Sequence, residues 1–203
     1  MVLAFLISAL SYGSLFVAIK SQTRGMWGKI GLGILLLCTV GTVGVGVFIT
    51  DPMPPVAQKG LSLTGALHLI SGSSALMLLP FAALLINANL ARKNQAWAPA
   101  RRALLWTAGL PGLGLVGFLV HIAIFLIPLG DDAYGPGVPI GWAPRLLLLS
   151  YMVWLITLAW QAIKLRSHAR SSKKPDVEKP SAVPTYLQRR THSVAAQKRG
   201  EEE

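Results

Sequence analysis

The chain has 203 residues, of which 53% are hydrophobic and only 13% charged, with a mean hydropathy of +0.54. That is too apolar for an ordinary soluble domain. The formal net charge of +11 sits between and behind the apolar runs, without interleaved aromatics or a folded basic face, which argues against a nucleic-acid partner.

Five windows carry no Lys, Arg, Asp or Glu: Val2–Ile19, Ile30–Thr50, Leu61–Ala91, Ala103–Gly130 and Leu146–Ile163. Each reaches the roughly 18–20 residues a helix needs to cross about 30 Å of hydrocarbon. Lipid leaves the backbone no hydrogen-bond partner but itself, a condition that a helix meets. The expected fold is therefore all-α and integral to a membrane, a bundle of five transmembrane helices at about residues 2–19, 30–50, 61–88, 103–128 and 146–163.

The first run has no basic residue before it, and Lys20 follows it, so it reads as a retained helix rather than a secretion signal. The second holds Gly31, Gly33, Gly41, Gly44 and Gly46. The strand and acidic partner of a dinucleotide fold are missing. Small residues that let helices approach closely are the better reading. Cys38, the sole cysteine, excludes an intrachain disulfide. In the fourth run Pro111 stands among Gly109, Gly112, Gly114 and Gly117. It withholds a bond from the Thr107 carbonyl, so a kink is expected there. Trp27, Trp97, Trp106 and Trp160 fall near one boundary and Trp142 near the other, as interfacial anchors do, while Trp154 lies deeper and packs.

Behind the fifth run, Lys164, Arg166, Arg170, Lys173 and Lys174 form a juxtamembrane cluster. It fixes topology or rests on anionic headgroups at about 1 kcal/mol per residue. Residues 167–203 are rich in Ser, Pro, Lys and Glu and have little to bury, so a disordered basic tail is expected. Taking alternate connections together, 17 of the 19 basic residues fall on one side. The positive-inside rule then places the N-terminus outside and the C-terminus in the cytoplasm.

With that orientation the ionisable groups of the membrane body gather toward the outer end. Asp51 closes the second run. His68 lies seven residues inside the third, roughly 10 Å deep, and His121 lies at a similar level on the fourth. Ser71, at i+3 from His68, shares its helix face, and Arg145 opens the fifth run beyond Asp131 and Asp132. Ionisable residues within a membrane are costly and point to function. Asp51, His68, Ser71, His121 and Arg145 are thus candidates to hold a small polar solute or lipid headgroup. A membrane enzyme is the alternative: Asp51, His68 and His121 have the donor types of an open zinc site, two facing histidines suit a haem iron, and Ser71 beside His68 offers a Ser/His pair. A structural reading stands beside these: a neutral histidine that pins two helices and an aspartate that stops one. No cofactor is required by the sequence. A third possibility is an assembly subunit that joins a second copy or another membrane protein through its Gly-rich faces.

The stretches "VGVFITDPMPPVAQKGLSLTGALHLISG", "ARKNQAWAPARRALLW" and "GWAPRLLLLSYMVWLITLAW" resemble the prokaryotic membrane family known as domain of unknown function 998. The resemblance rests on Phe48, Thr50, Asp51 and Pro52, then His68 and Leu69, then Arg145, and covers most of residues 1–166. It implies a multi-pass protein of a prokaryotic plasma membrane with a shared Asp/His/Arg set, and brings no activity. Members usually have six helices. The resemblance therefore implies that the first of them is missing here, as a five-helix variant or through a shortened gene.

Overall fold

The computed structural model describes residues 2–51, 61–129 and 141–171. Among the described residues there is no strand, and five helical spans are long and apolar enough to cross a membrane. The helices are α1 (Val2–Ile19), α2 (Met26–Val47), α3 (Leu63–Lys93), α4 (Arg101–His121) and α5 (Trp142–Ser171). A 3-10 stretch, Gln95–Ala100, leads into α4. A π-helical stretch, Ile122–Leu126, and a last turn, Ile127–Leu129, follow it. Residues 1–165 form one compact unit; the second, from Arg166, is described only as the final turns of α5. The expected disordered tail beyond Ser171, with Lys173 and Lys174, lies outside the described residues, as do Asp131 and Asp132.

Several helices overrun their charge-free windows for one physical reason. A window stops at the first charge, whereas backbone hydrogen bonding continues into the headgroup region. Thus α2 includes Lys29, and α3 ends on Arg92 and Lys93, cations that suit the negative end of a helix dipole. Helix α5 likewise carries Ser167–Ser171, assigned to the tail by composition, as continued helix.

Pro111 does not interrupt its helix. Helix α4 is continuous from Arg101 to His121 with Pro111 buried, and the irregular stretch begins at Ile122 instead. Pro80, inside α3, has a consequence that spacing alone does not show. Lacking an N–H, it leaves the Leu76 carbonyl without its usual donor. The Tyr151 hydroxyl of α5 donates to that carbonyl at 2.5 Å.

Helix α3 packs against α2 and α4, and meets α5 through hydrogen bonds. Glycines on α2 permit the closest of these approaches. A Cβ at Gly41 would stand 2.8 Å from both the Ser71 carbonyl and Ser74 Oγ, and one at Gly31 3.0 Å from Leu85 and Ile86. Around this seam Leu35, Cys38, Leu79, Ile86, Leu104, Leu147 and Trp154 form the core.

Buried polar groups are paired across elements, as a low-dielectric interior demands. Asn87 donates to the Leu104 carbonyl at 2.7 Å and accepts from Trp154 Nε1 at 3.2 Å, joining α3, α4 and α5. The α1–α2 connection is tied down at the same end of α3. Asn89 donates to the Arg24 carbonyl at 2.6 Å and accepts from the Arg24 N–H at 3.0 Å. Asn94 Nδ2 donates to the Gln22 carbonyl at 3.1 Å, and Trp97 Nε1 donates to Gln22 Oε1 at 2.7 Å. Trp97 is therefore wholly buried, not the interfacial anchor its position suggested, whereas Trp27, Trp106, Trp142 and Trp160 are exposed.

Candidate functional site at the α2–α3 junction

The junction begins where α2 runs out of helix. Phe48 is extended, at φ −83° and ψ 133°, so its carbonyl has no partner within the helix. His68, one turn and a half into α3, supplies that partner through Nδ1 at 2.8 Å. A carbonyl only accepts, so Nδ1 must carry the proton. In the neutral ring Nε2 is then an acceptor, with its orientation fixed by the bond on the opposite side. His68 is half-buried.

Asp51 stands three residues after Phe48 and reaches the start of α3. Its Oδ2 accepts from the Ser62 N–H at 3.0 Å, and its Oδ1 accepts from Ser62 Oγ at 2.5 Å. Ser62 is the N-cap of α3, its hydroxyl accepting from the Gly65 N–H at 3.0 Å. With its single proton committed to Asp51, Ser62 Oγ accepts from Thr64 Oγ1 at 3.1 Å as well. The carboxylate thus lies at the positive end of the α3 dipole, where a negative charge contributes roughly 0.3–1 kcal/mol. It also occupies the place that an external anion would seek.

Ser71 faces α2, not the imidazole. Its hydroxyl lies against Gly44 and no hydrogen bond joins it to His68, so a Ser/His pair is not formed. His121, the last residue of α4, rests on the Phe125 ring with centroids 4.8 Å apart. Its Nε2 is buried and, among the described residues, makes no hydrogen bond. Arg145 is exposed, with its guanidinium 5.9 Å from the Trp142 ring centroid.

The structure therefore brings Asp51 to Ser62 and His68 to Phe48, across one junction. Among the described residues no three of His, Cys, Asp or Glu are grouped to hold a metal ion. The zinc set of Asp51, His68 and His121 is not assembled, because Asp51 is engaged by Ser62 while His121 packs within its own helix segment. Ser62, Gly65 and the Phe48 carbonyl escaped the sequence reading, since a cap and a carbonyl acquire roles only once two helix ends meet. The asparagines at 87 and 89 carried a usable signal: paired amides inside an uncharged window need partners.

A family model described as "Protein of unknown function (DUF998)" matches residues 1–161. Comparisons with curated proteins and with solved structures give no match.

Proposed function

The chain belongs to the DUF998 family of proteins of unknown function, and we propose that it binds a small polar solute or a lipid headgroup at the α2–α3 end of its bundle. In this reading it is a multi-pass protein of a prokaryotic plasma membrane with that end outside. The observation that carries it is the His68 bond to the Phe48 carbonyl, which commits Nδ1 as donor and leaves Nε2 as the ring's second polar atom. A neutral Nε2 accepts from a hydroxyl or ammonium group; a protonated one donates to a carboxylate or phosphate. Asp51 holds the start of α3 and so fixes the frame from which His68 projects. His121 and Arg145 are the further polar groups that this end offers a ligand. We propose also that the basic cluster Lys164, Arg166, Arg170, Lys173 and Lys174 contacts anionic headgroups at the cytoplasmic face.

Native mass spectrometry of protein extracted in mild detergent tests the reading. Wild type should retain a polar solute or lipid that His68→Ala loses, with both variants equally folded. The same bound species at the same occupancy in His68→Ala would refute it.

An assembly subunit is the second reading, favoured by one observation on α4. A Cβ at Gly109, Gly112 or Gly117 would meet nothing within 4 Å, so that face has no close neighbour among the described residues. A cysteine at Gly112 should crosslink two copies in membranes if the face joins a second chain.

A further inference from the structure

The end of the bundle opposite His68 carries a concentration of positive charge that the fold itself holds in place. Asn89 is nearly buried and grips both backbone polar groups of Arg24. Arg92 and Lys93 follow Asn89 by three and four residues, and so lie on the same face of α3, one turn further along. The loop and the helix end therefore bring Arg24, Arg92 and Lys93 alongside one another, and all three side chains are exposed. The Gln22 bonds from Asn94 and Trp97 fix the same loop a second time.

Among the described residues no acid stands near these charges. The single acidic side chain among those residues is Asp51, which clasps the far end of α3, roughly 45 Å away at 1.5 Å per residue. The carbonyl end of α3 offers about half a negative charge, against three full positive ones. A chain that needed cations only to set its orientation has no need to tie a loop down beside them. The level in the membrane is marked by exposed Trp27, three residues after Arg24, and by exposed Trp106 and Trp160, the belt where headgroups meet hydrocarbon.

We infer that Arg24, Arg92 and Lys93 form a binding site for the phosphodiester headgroup of an anionic phospholipid. Two arginines give paired donors to phosphate oxygens, Lys93 adds a mobile charge, and the acyl chains run down the apolar helix surface beside Trp27. The inference does not rest on the ligand reading of His68.

Full-length protein in a maltoside detergent, titrated with phosphatidylglycerol, phosphatidylcholine or inorganic phosphate and read by native mass spectrometry, tests this. Wild type should bind phosphatidylglycerol in preference to phosphatidylcholine, and millimolar inorganic phosphate should not displace it. The triple variant Arg24→Gln/Arg92→Gln/Lys93→Gln should weaken phosphatidylglycerol on the order of 100-fold, the interfacial weight of three basic residues. Asn89→Ala keeps every charge but frees the loop, and should lose about tenfold. Gly33→Ala, whose added methyl meets nothing within 4 Å, should bind as wild type does, and Lys164→Gln/Arg166→Gln should weaken phosphatidylglycerol less than the triple variant does. Unchanged binding in the triple variant overturns the inference, as does a loss confined to the Lys164/Arg166 variant. Displacement by inorganic phosphate would make this a free-anion site and overturn the lipid assignment.

Discussion

Gly65 has no room for a side chain, because the Asp51 carboxylate lies where its Cβ would be. The position is set by one ion and one hydroxyl rather than by backbone torsion. Gly65→Ala should push Asp51 off Ser62 and cost about 1–3 kcal/mol, the range for leaving polar partners unmade, measured by reversible unfolding in mixed micelles. Asp51→Ala and Ser62→Ala each break the same clasp, so their double mutant should cost at least about 0.5 kcal/mol less than the sum. Asp51 with His68 should couple more weakly, since His68 bonds the Phe48 carbonyl and not the carboxylate. A larger Asp51–His68 coupling would mean that the two side chains meet directly.

At the scale of helices, a proline in one element is answered by a tyrosine in another. Tyr151→Phe should strand the Leu76 carbonyl and cost about 1–3 kcal/mol. In a Pro80→Ala background the new amide N–H can take up that carbonyl, and the same Tyr151→Phe change should then cost under about 1 kcal/mol. Equal costs in both backgrounds would show that the hydroxyl is not serving the proline gap. The seam between α2 and α3 makes a second contrast. Gly41→Ala drives a methyl to 2.8 Å from the Ser71 carbonyl, whereas Gly33→Ala meets nothing within 4 Å. Gly41→Ala should therefore separate the helices and destabilise by about 1–3 kcal/mol. Gly33→Ala should be neutral or stabilise by up to about 1 kcal/mol through helix propensity. Thermal melts of both variants in one detergent would decide whether the seam, rather than glycine content, controls α2.

For the whole molecule, the five apolar helices among the described residues are enough for five crossings, an odd number that would place the two termini on opposite sides. The weight of basic residues on alternate connections argues for a cytoplasmic C-terminus. A reporter fused after Glu203 should be active only in the cytoplasm, and a cysteine at Gln58, in a Cys38→Ser background, should react with an impermeant reagent from outside intact cells. The reverse pattern at both positions would invert the bundle and put His68 on the cytoplasmic side. It would leave the Arg24, Arg92 and Lys93 geometry unchanged.

The helical class and the five spans were legible in the sequence because lipid imposes a local rule: about 20 uncharged residues whose backbone must satisfy itself. The level of His68 near the end of α2 was legible too, since rise per residue converts position into depth. What the candidate side chains touch was not, because each contact depends on which faces of two helices meet. Asp51 reads equally as a ligand or a helix stop until Ser62 is brought beside it across residues 52–60. Spacing puts Ser71 on the His68 face of α3, yet the Gly44 approach turns it into a packing residue. Asn87, Asn89, Trp97 and Tyr151 became explicable only when a carbonyl, an amide or an indole from another element arrived within hydrogen-bond distance. Hydrophobicity acts along the chain and can be counted there; hydrogen bonds act between elements at about 3 Å, and tertiary packing alone determines their partners.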